Sequence, residues 1–134
     1  MTDNPLILPM FSHIALCAFL YVLLTIARAP KVWGLWQMND GSNPWHACET
    51  RITNNLKNQF EWPLFFYIAC VLLLAEGDAV SQLQCYLAWA FVAGRVLHSI
   101  IQIGTRNIRL RGIVFTINFL AVLAMWTDMV YQTL

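Results

Sequence analysis

Charge is what this chain has least of. Asp, Glu, Lys and Arg make up 11% of its 134 residues, against roughly a quarter in soluble domains. That excludes an ordinary water-soluble globule. The net charge of +1 excludes the strongly basic face that a nucleic-acid partner would need. The four cysteines, Cys17, Cys48, Cys70 and Cys85, form no CxxC pair. Most lie in apolar segments, where a small buried thiol is the default, so no disulfide framework is expected. His46 and Cys48 are too sparse for zinc and His13 stands alone in an apolar run, so no metal site is expected. The start, MTDNPLILPMF, lacks a basic n-region and carries Asp3. The first apolar run is therefore read as retained, since about twenty residues suffice to span a bilayer. No repeat, linker or low-complexity tract interrupts the order, and the length suits one domain.

What is present is apolar surface. The chain is 59% hydrophobic, with a mean hydropathy of +0.58. The expected fold class is all-α, an integral membrane four-helix bundle with spans at roughly 6–27, 58–75, 81–103 and 112–130. Pro5 and Pro9 suit the start of the first helix. Pro30, between Arg28 and Lys31, reads as its breaker. A loop with Gly34, Asp40-Gly41-Ser42 and Asn43-Pro44 follows, studded with the interfacial residues Trp33, Trp36 and Trp45. The second helix begins near Asn43 or Pro44 and runs to Ala75, with Pro63 disturbing the bond to the Gln59 carbonyl. Glu76-Gly77-Asp78 ends it. The third span carries Arg95, His98 and Gln102 at i, i+3 and i+7, hence on one face. The basic turn GTRNIRLRG leads to the fourth, which holds Asn118 and Asp128.

The first and third loops, with their flanking helix ends, hold Arg28, Lys31, Arg51, Lys57, Arg106, Arg109 and Arg111. The second loop is acidic, and the tails hold Asp3 and Asp128. The positive-inside bias then puts the basic loops in the cytoplasm and both termini outside.

The stretch Arg51 to Tyr67, RITNNLKNQFEWPLFFY, starts as a polar helix and ends as a hydrocarbon-compatible one. At about 100° per residue, Arg51, Asn54 or Asn55, Asn58, Glu61 or Trp62, and Phe65 share a broad face. A carboxylate costs roughly 2.5–3.5 kcal/mol at mid-bilayer on insertion scales, so this face should turn inward. Glu61, Asn58, Arg51, Arg95, His98 and Arg111 then become candidates for one polar pocket. Its carboxylate would hold an amino group and its arginines carboxylates. A thiol beside an arginine would ionise more readily. Lowering a pKa of about 8.5 by about two units takes roughly 2.7 kcal/mol. The plainer alternatives are a structural ion pair of Glu61 with Arg95 or Arg51, asparagines as interhelical glue, a structural His98, and Arg106 and Arg109 as topology and lipid-phosphate contacts.

Two local patterns carry a family resemblance. One is Asn58-Gln59-Phe60-Glu61-Trp62-Pro63; the other is Gly94-Arg95-Val96-Leu97-His98, followed by the basic turn ending at Arg111. In order, with four spans, the chain resembles the MAPEG superfamily, the membrane-associated proteins of eicosanoid and glutathione metabolism, and its bacterial members most. The resemblance implies a homotrimer in a bacterial inner (plasma) membrane, with sites between subunits open to the cytoplasmic side. It implies glutathione as co-substrate, held by Asn58 and Glu61 with its thiolate stabilised by Arg111, the catalytic residue. Arg28 would be a further ligand-facing arginine, and Arg51, Asn54, Arg95, His98 and Gln102 complete the ligand-binding set. A lipophilic substrate would enter from the surrounding membrane lipids. Three ligand-contact positions depart from glutathione-using relatives: Asn54 replaces an arginine, Gln102 a tyrosine and Trp62 a tyrosine.

Three functional readings follow. The leading one is a glutathione-dependent transferase or peroxidase acting on lipophilic electrophiles. The second is a non-catalytic lipid or small-ligand binding protein on the same scaffold. The third is a small proton-coupled transporter using Glu61.

Overall fold

The computed structural model describes residues 4–134; Asp3 lies outside them. Five helices follow one another: α1 (Ile7–Trp33), α2 (His46–Phe60), α3 (Pro63–Ala75), α4 (Gln82–Gly104) and α5 (Ile108–Thr133). α2 and α3 together make one stretch, so among the described residues four helical stretches are long and apolar enough to cross a membrane.

The helix ends correct the expected boundaries. α1 passes through Pro30 and ends at Gly34, which takes the left-handed conformation (φ 68°) that a residue without a Cβ adopts freely. Pro30 removes one amide bond, yet its own carbonyl is capped by Gln37 Nε2 at 2.7 Å. Nearby, the Ala27 carbonyl accepts from Asn43 Nδ2 at 2.9 Å. The second span is not merely disturbed at Pro63. α2 stops at Phe60, Glu61 leaves helical geometry (ψ −93°), and α3 restarts with Pro63 in its first turn. The basic turn is shorter than expected. Asn107 caps α5 by accepting from the Leu110 amide at 3.0 Å, so Arg109 and Arg111 ride on the helix and not in a loop.

Packing divides the bundle into layers. One apolar cluster gathers Leu6, Phe66, Ala69, Cys70, Leu73, Phe91, Val92, Val122 and Met125. Its centre is the stacked pair Phe66 and Phe91, with ring centroids 4.2 Å apart. A second gathers Leu20, Leu24, Ala27, Ile52 and Leu56 between α1 and α2. α4 and α5 meet closely at Gly94, where any Cβ would strike the Asn118 side chain. Trp126 Nε1 ties α5 to the Phe65 carbonyl of α3 at 3.1 Å. Gln84 Nε2 reaches Asp128 at 2.7 Å. All four cysteines are free.

Candidate functional site

Between the two apolar clusters lies a polar layer. Asn55 and Gln59, one helical turn apart on α2, are fully enclosed, as are Arg95 and His98 on α4. Gln59 Nε2 donates to Asn55 Oδ1 at 3.1 Å and to Ser99 Oγ at 3.0 Å. Gln59 Oε1 accepts from Arg95 Nε at 3.0 Å and lies 2.8 Å from His13 Nε2. The other ring nitrogen of His13 is 2.7 Å from the Tyr67 hydroxyl. Asn55 and Asn58 both donate to Gln102 Oε1, at 2.8 and 3.3 Å. Groups so enclosed must be hydrogen-bonded to be tolerated, and this layer satisfies most of them.

Above the layer opens a polar cavity of about 420 Å³, lined by Asn54, Lys57, Asn58, Glu61, His98, Gln102, Ile108, Arg111, Gly112 and Phe115. That lies within the roughly 300–1,000 Å³ of small-molecule sites. α2 presents Asn54, Lys57, Asn58 and, at the helix break, Glu61. α4 presents His98 and Gln102, and the first turns of α5 present Arg111. The start of α5 is unusual in its charge. It carries no acid in its first turn, and Arg106, Arg109 and Arg111 surround it. Cations at a helix N-terminus oppose the macrodipole, so the region is strongly positive and suits an anionic group. The cavity thus offers two cations, one carboxylate and several amides to a solvent-reached ligand. Among the described residues no group of three His, Cys, Asp or Glu is placed to hold a metal ion.

The model of the MAPEG family matches residues 6–131. The chain belongs to the MAPEG family. No curated protein and no solved structure matches it.

In this MAPEG protein six expected site residues meet around one cavity: Asn54, Asn58, Glu61, His98, Gln102 and Arg111. Three others lie elsewhere. Arg28 pairs with Glu49 at 2.9 Å and with the Thr53 hydroxyl at 3.3 Å. Arg51 Nη1 donates to the Ile103 carbonyl at 3.1 Å, capping the end of α4. Arg95 is sealed beneath the cavity and donates through Nη2 to the Asn58 carbonyl at 3.1 Å. Glu61 pairs with neither Arg95 nor Arg51; among the described residues the one ion pair is Arg28 with Glu49.

Sequence reasoning missed Lys57 as a lining residue, and it missed the layer below. His13, read as isolated, is held by Gln59 and Tyr67. The signal was present in the spacing. Asn55 and Gln59, and likewise Arg95 and Ser99, stand four residues apart, and such polar pairs inside a span mark an inward stripe.

Proposed function

We propose that this MAPEG protein binds glutathione in the polar cavity and, as a transferase, joins it through its sulfur to lipophilic electrophiles or, as a peroxidase, reduces lipophilic hydroperoxides to alcohols and water while two glutathiones are oxidised to the disulfide. The observation that carries the reading is the convergence of Arg111, Glu61, Asn58 and His98 from three helices on one cavity of ligand size. Glutathione is a zwitterionic peptide with one thiol, and the donor set fits it. Glu61 receives the amino group, Lys57 takes a carboxylate, and Asn54 and Asn58 meet the peptide amides. Arg111 holds the sulfur as thiolate, in the field of the α5 N-terminus. The thiolate sulfur bonds to an electrophilic carbon as the leaving group departs with its electron pair, and the thiol proton goes to water at the cavity mouth. We further propose a homotrimer with the basic loops cytoplasmic and both termini outside, in a bacterial inner membrane, with the lipophilic substrate arriving from the lipid.

Purified protein in nanodiscs tests this with millimolar glutathione and chlorodinitrobenzene. Glutathione is expected to raise the thermal midpoint and support conjugation. Arg111→Ala is expected to lower kcat by about a hundredfold, the scale of losing one charge-stabilising donor. No thermal shift and no conjugate would refute the reading.

One observation favours the non-catalytic alternative. The amides of Asn55 and Asn58 are already directed to Gln102, which leaves fewer donors for a peptide. Native mass spectrometry would then show a retained phospholipid and no thiol ligand. A proton-coupled carrier has less support, because Glu61 is exposed at the helix break and is not enclosed between spans.

A further inference from the structure

Among the described residues Arg95 is the one arginine that is wholly enclosed, at 0% exposure, and no carboxylate pairs with it. A buried cation is costly unless something negative faces it. What faces it is the end of a helix. α2 stops at Phe60, and Pro63 has no amide hydrogen to give to the Gln59 carbonyl. The last carbonyls of α2 therefore lack their helical donors and concentrate the negative end of the helix dipole. Arg95 Nη2 donates to one of them, Asn58 O, at 3.1 Å. Its Nε donates to the Gln59 side chain at 3.0 Å, which is itself hydrogen-bonded to His13 of α1. Asn58 meanwhile lines the cavity with its side chain, and Glu61 follows three residues later. Arg95 does not line the cavity.

We propose that Arg95 is a positioning residue: Pro63 opens the second span, and the Arg95 guanidinium clamps the opened end of α2 so that Asn58 and Glu61 face the ligand. The proposal rests on the reading of the cavity as a ligand site. It assigns Arg95 a role through the backbone of Asn58 and no contact with substrate. Arg51 does the same service in reverse, from α2 to the end of α4, but without a break to hold.

Hydrogen exchange read by mass spectrometry on the full chain in nanodiscs tests the clamp, alongside calorimetric titration with glutathione. Arg95→Gln is expected to speed exchange over residues 58–62 by about tenfold, the loss of one charge-assisted bond, while α5 is unchanged. The glutathione Kd is expected to rise by a similar factor. Arg95→Lys, which keeps the charge but not the fork, should recover part of both. Exchange that rises equally in every helix, or local exchange and Kd that match the wild type, overturns the proposal. If neither variant folds, Pro63→Ala decides. Restoring an amide there should slow exchange over 60–64 and weaken glutathione binding, and no change in either overturns the proposal. If the wild type binds no glutathione, the ligand reading fails, and the local exchange pattern alone still supports or overturns the clamp.

Discussion

The two halves of the second span are neighbours in sequence and opposites in chemistry. α3 buries Phe66, Ala69, Cys70 and Leu73, and its contacts are dispersive. α2 buries Asn55 and Gln59 beside Ile52 and Leu56, and its contacts are directional. Within lipid, apolar side chains gain little by leaving the hydrocarbon, so beyond the hydrogen bonds of Phe65 and Tyr67 near its start α3 is held by close packing. Along Ala69, Cys70 and Leu73 a slide would exchange one apolar contact for another. α2 has no such freedom, because the amides of Asn55, Asn58 and Gln59 each have a specific partner. The candidate site sits on the half whose register is set atom by atom, with the break at Glu61–Trp62 separating the two.

The contrast can be broken from either side. The largest effect is expected from Phe66→Ala, which empties the stack against Phe91. It should destabilise by about 3–5 kcal/mol, measured by detergent-driven unfolding in mixed micelles. Glutathione affinity should hold; a parallel loss of affinity would show that the halves are coupled. Gln59→Leu strikes the directional half. It orphans the Arg95 and His13 donors, for about 1–3 kcal/mol in the same assay, and here the ligand affinity should fall too. Smaller again is Glu49→Gln at the start of α2. The Arg28 side chain is 42% exposed, so the pair contributes less than about 1 kcal/mol, and salt should erase the difference.

The smallest effect belongs to the loop leading into α2. The Ser42 hydroxyl and amide, at 2.6 and 2.9 Å, hold the Asp40 carboxyl below its ordinary value of 3.8. The folded pKa is depressed, so this contribution is complete above the unfolded pKa and disappears as pH falls through the folded one. Acid titration should therefore loosen the turn only below about pH 4, seen as faster exchange in residues 38–43. Asp40→Asn should abolish that pH dependence.

Much of the fold was legible because hydropathy alone marks segments able to cross a bilayer. The shared face of Arg95, His98 and Gln102 was legible from spacing, and so was the inward turn of Asn58. What escaped notice were the partners. Glu61 and Arg95 invite pairing by charge, yet Arg95 is turned to a backbone carbonyl, because the break at Pro63 creates an acceptor that no side-chain pattern announces. Arg28 likewise reads as a free cation until α2 brings Glu49 beside it. His13 looked isolated because its two partners lie 46 and 54 residues away.

The polar layer also has a direction. Gln59 Oε1 is an acceptor only, so the neutral His13 ring must carry its hydrogen on Nε2, and its Nδ1 must then accept the single hydrogen of the Tyr67 hydroxyl. Donation runs one way, from phenol to imidazole to the Gln59 carboxamide, and from its Nε2 onward to Ser99 and Asn55. A carboxamide oxygen gives nothing onward, so a proton passed along from Tyr67 would halt at Gln59. The layer joins four helices, and the relay that starts at Tyr67 has no exit through the Gln59 oxygen.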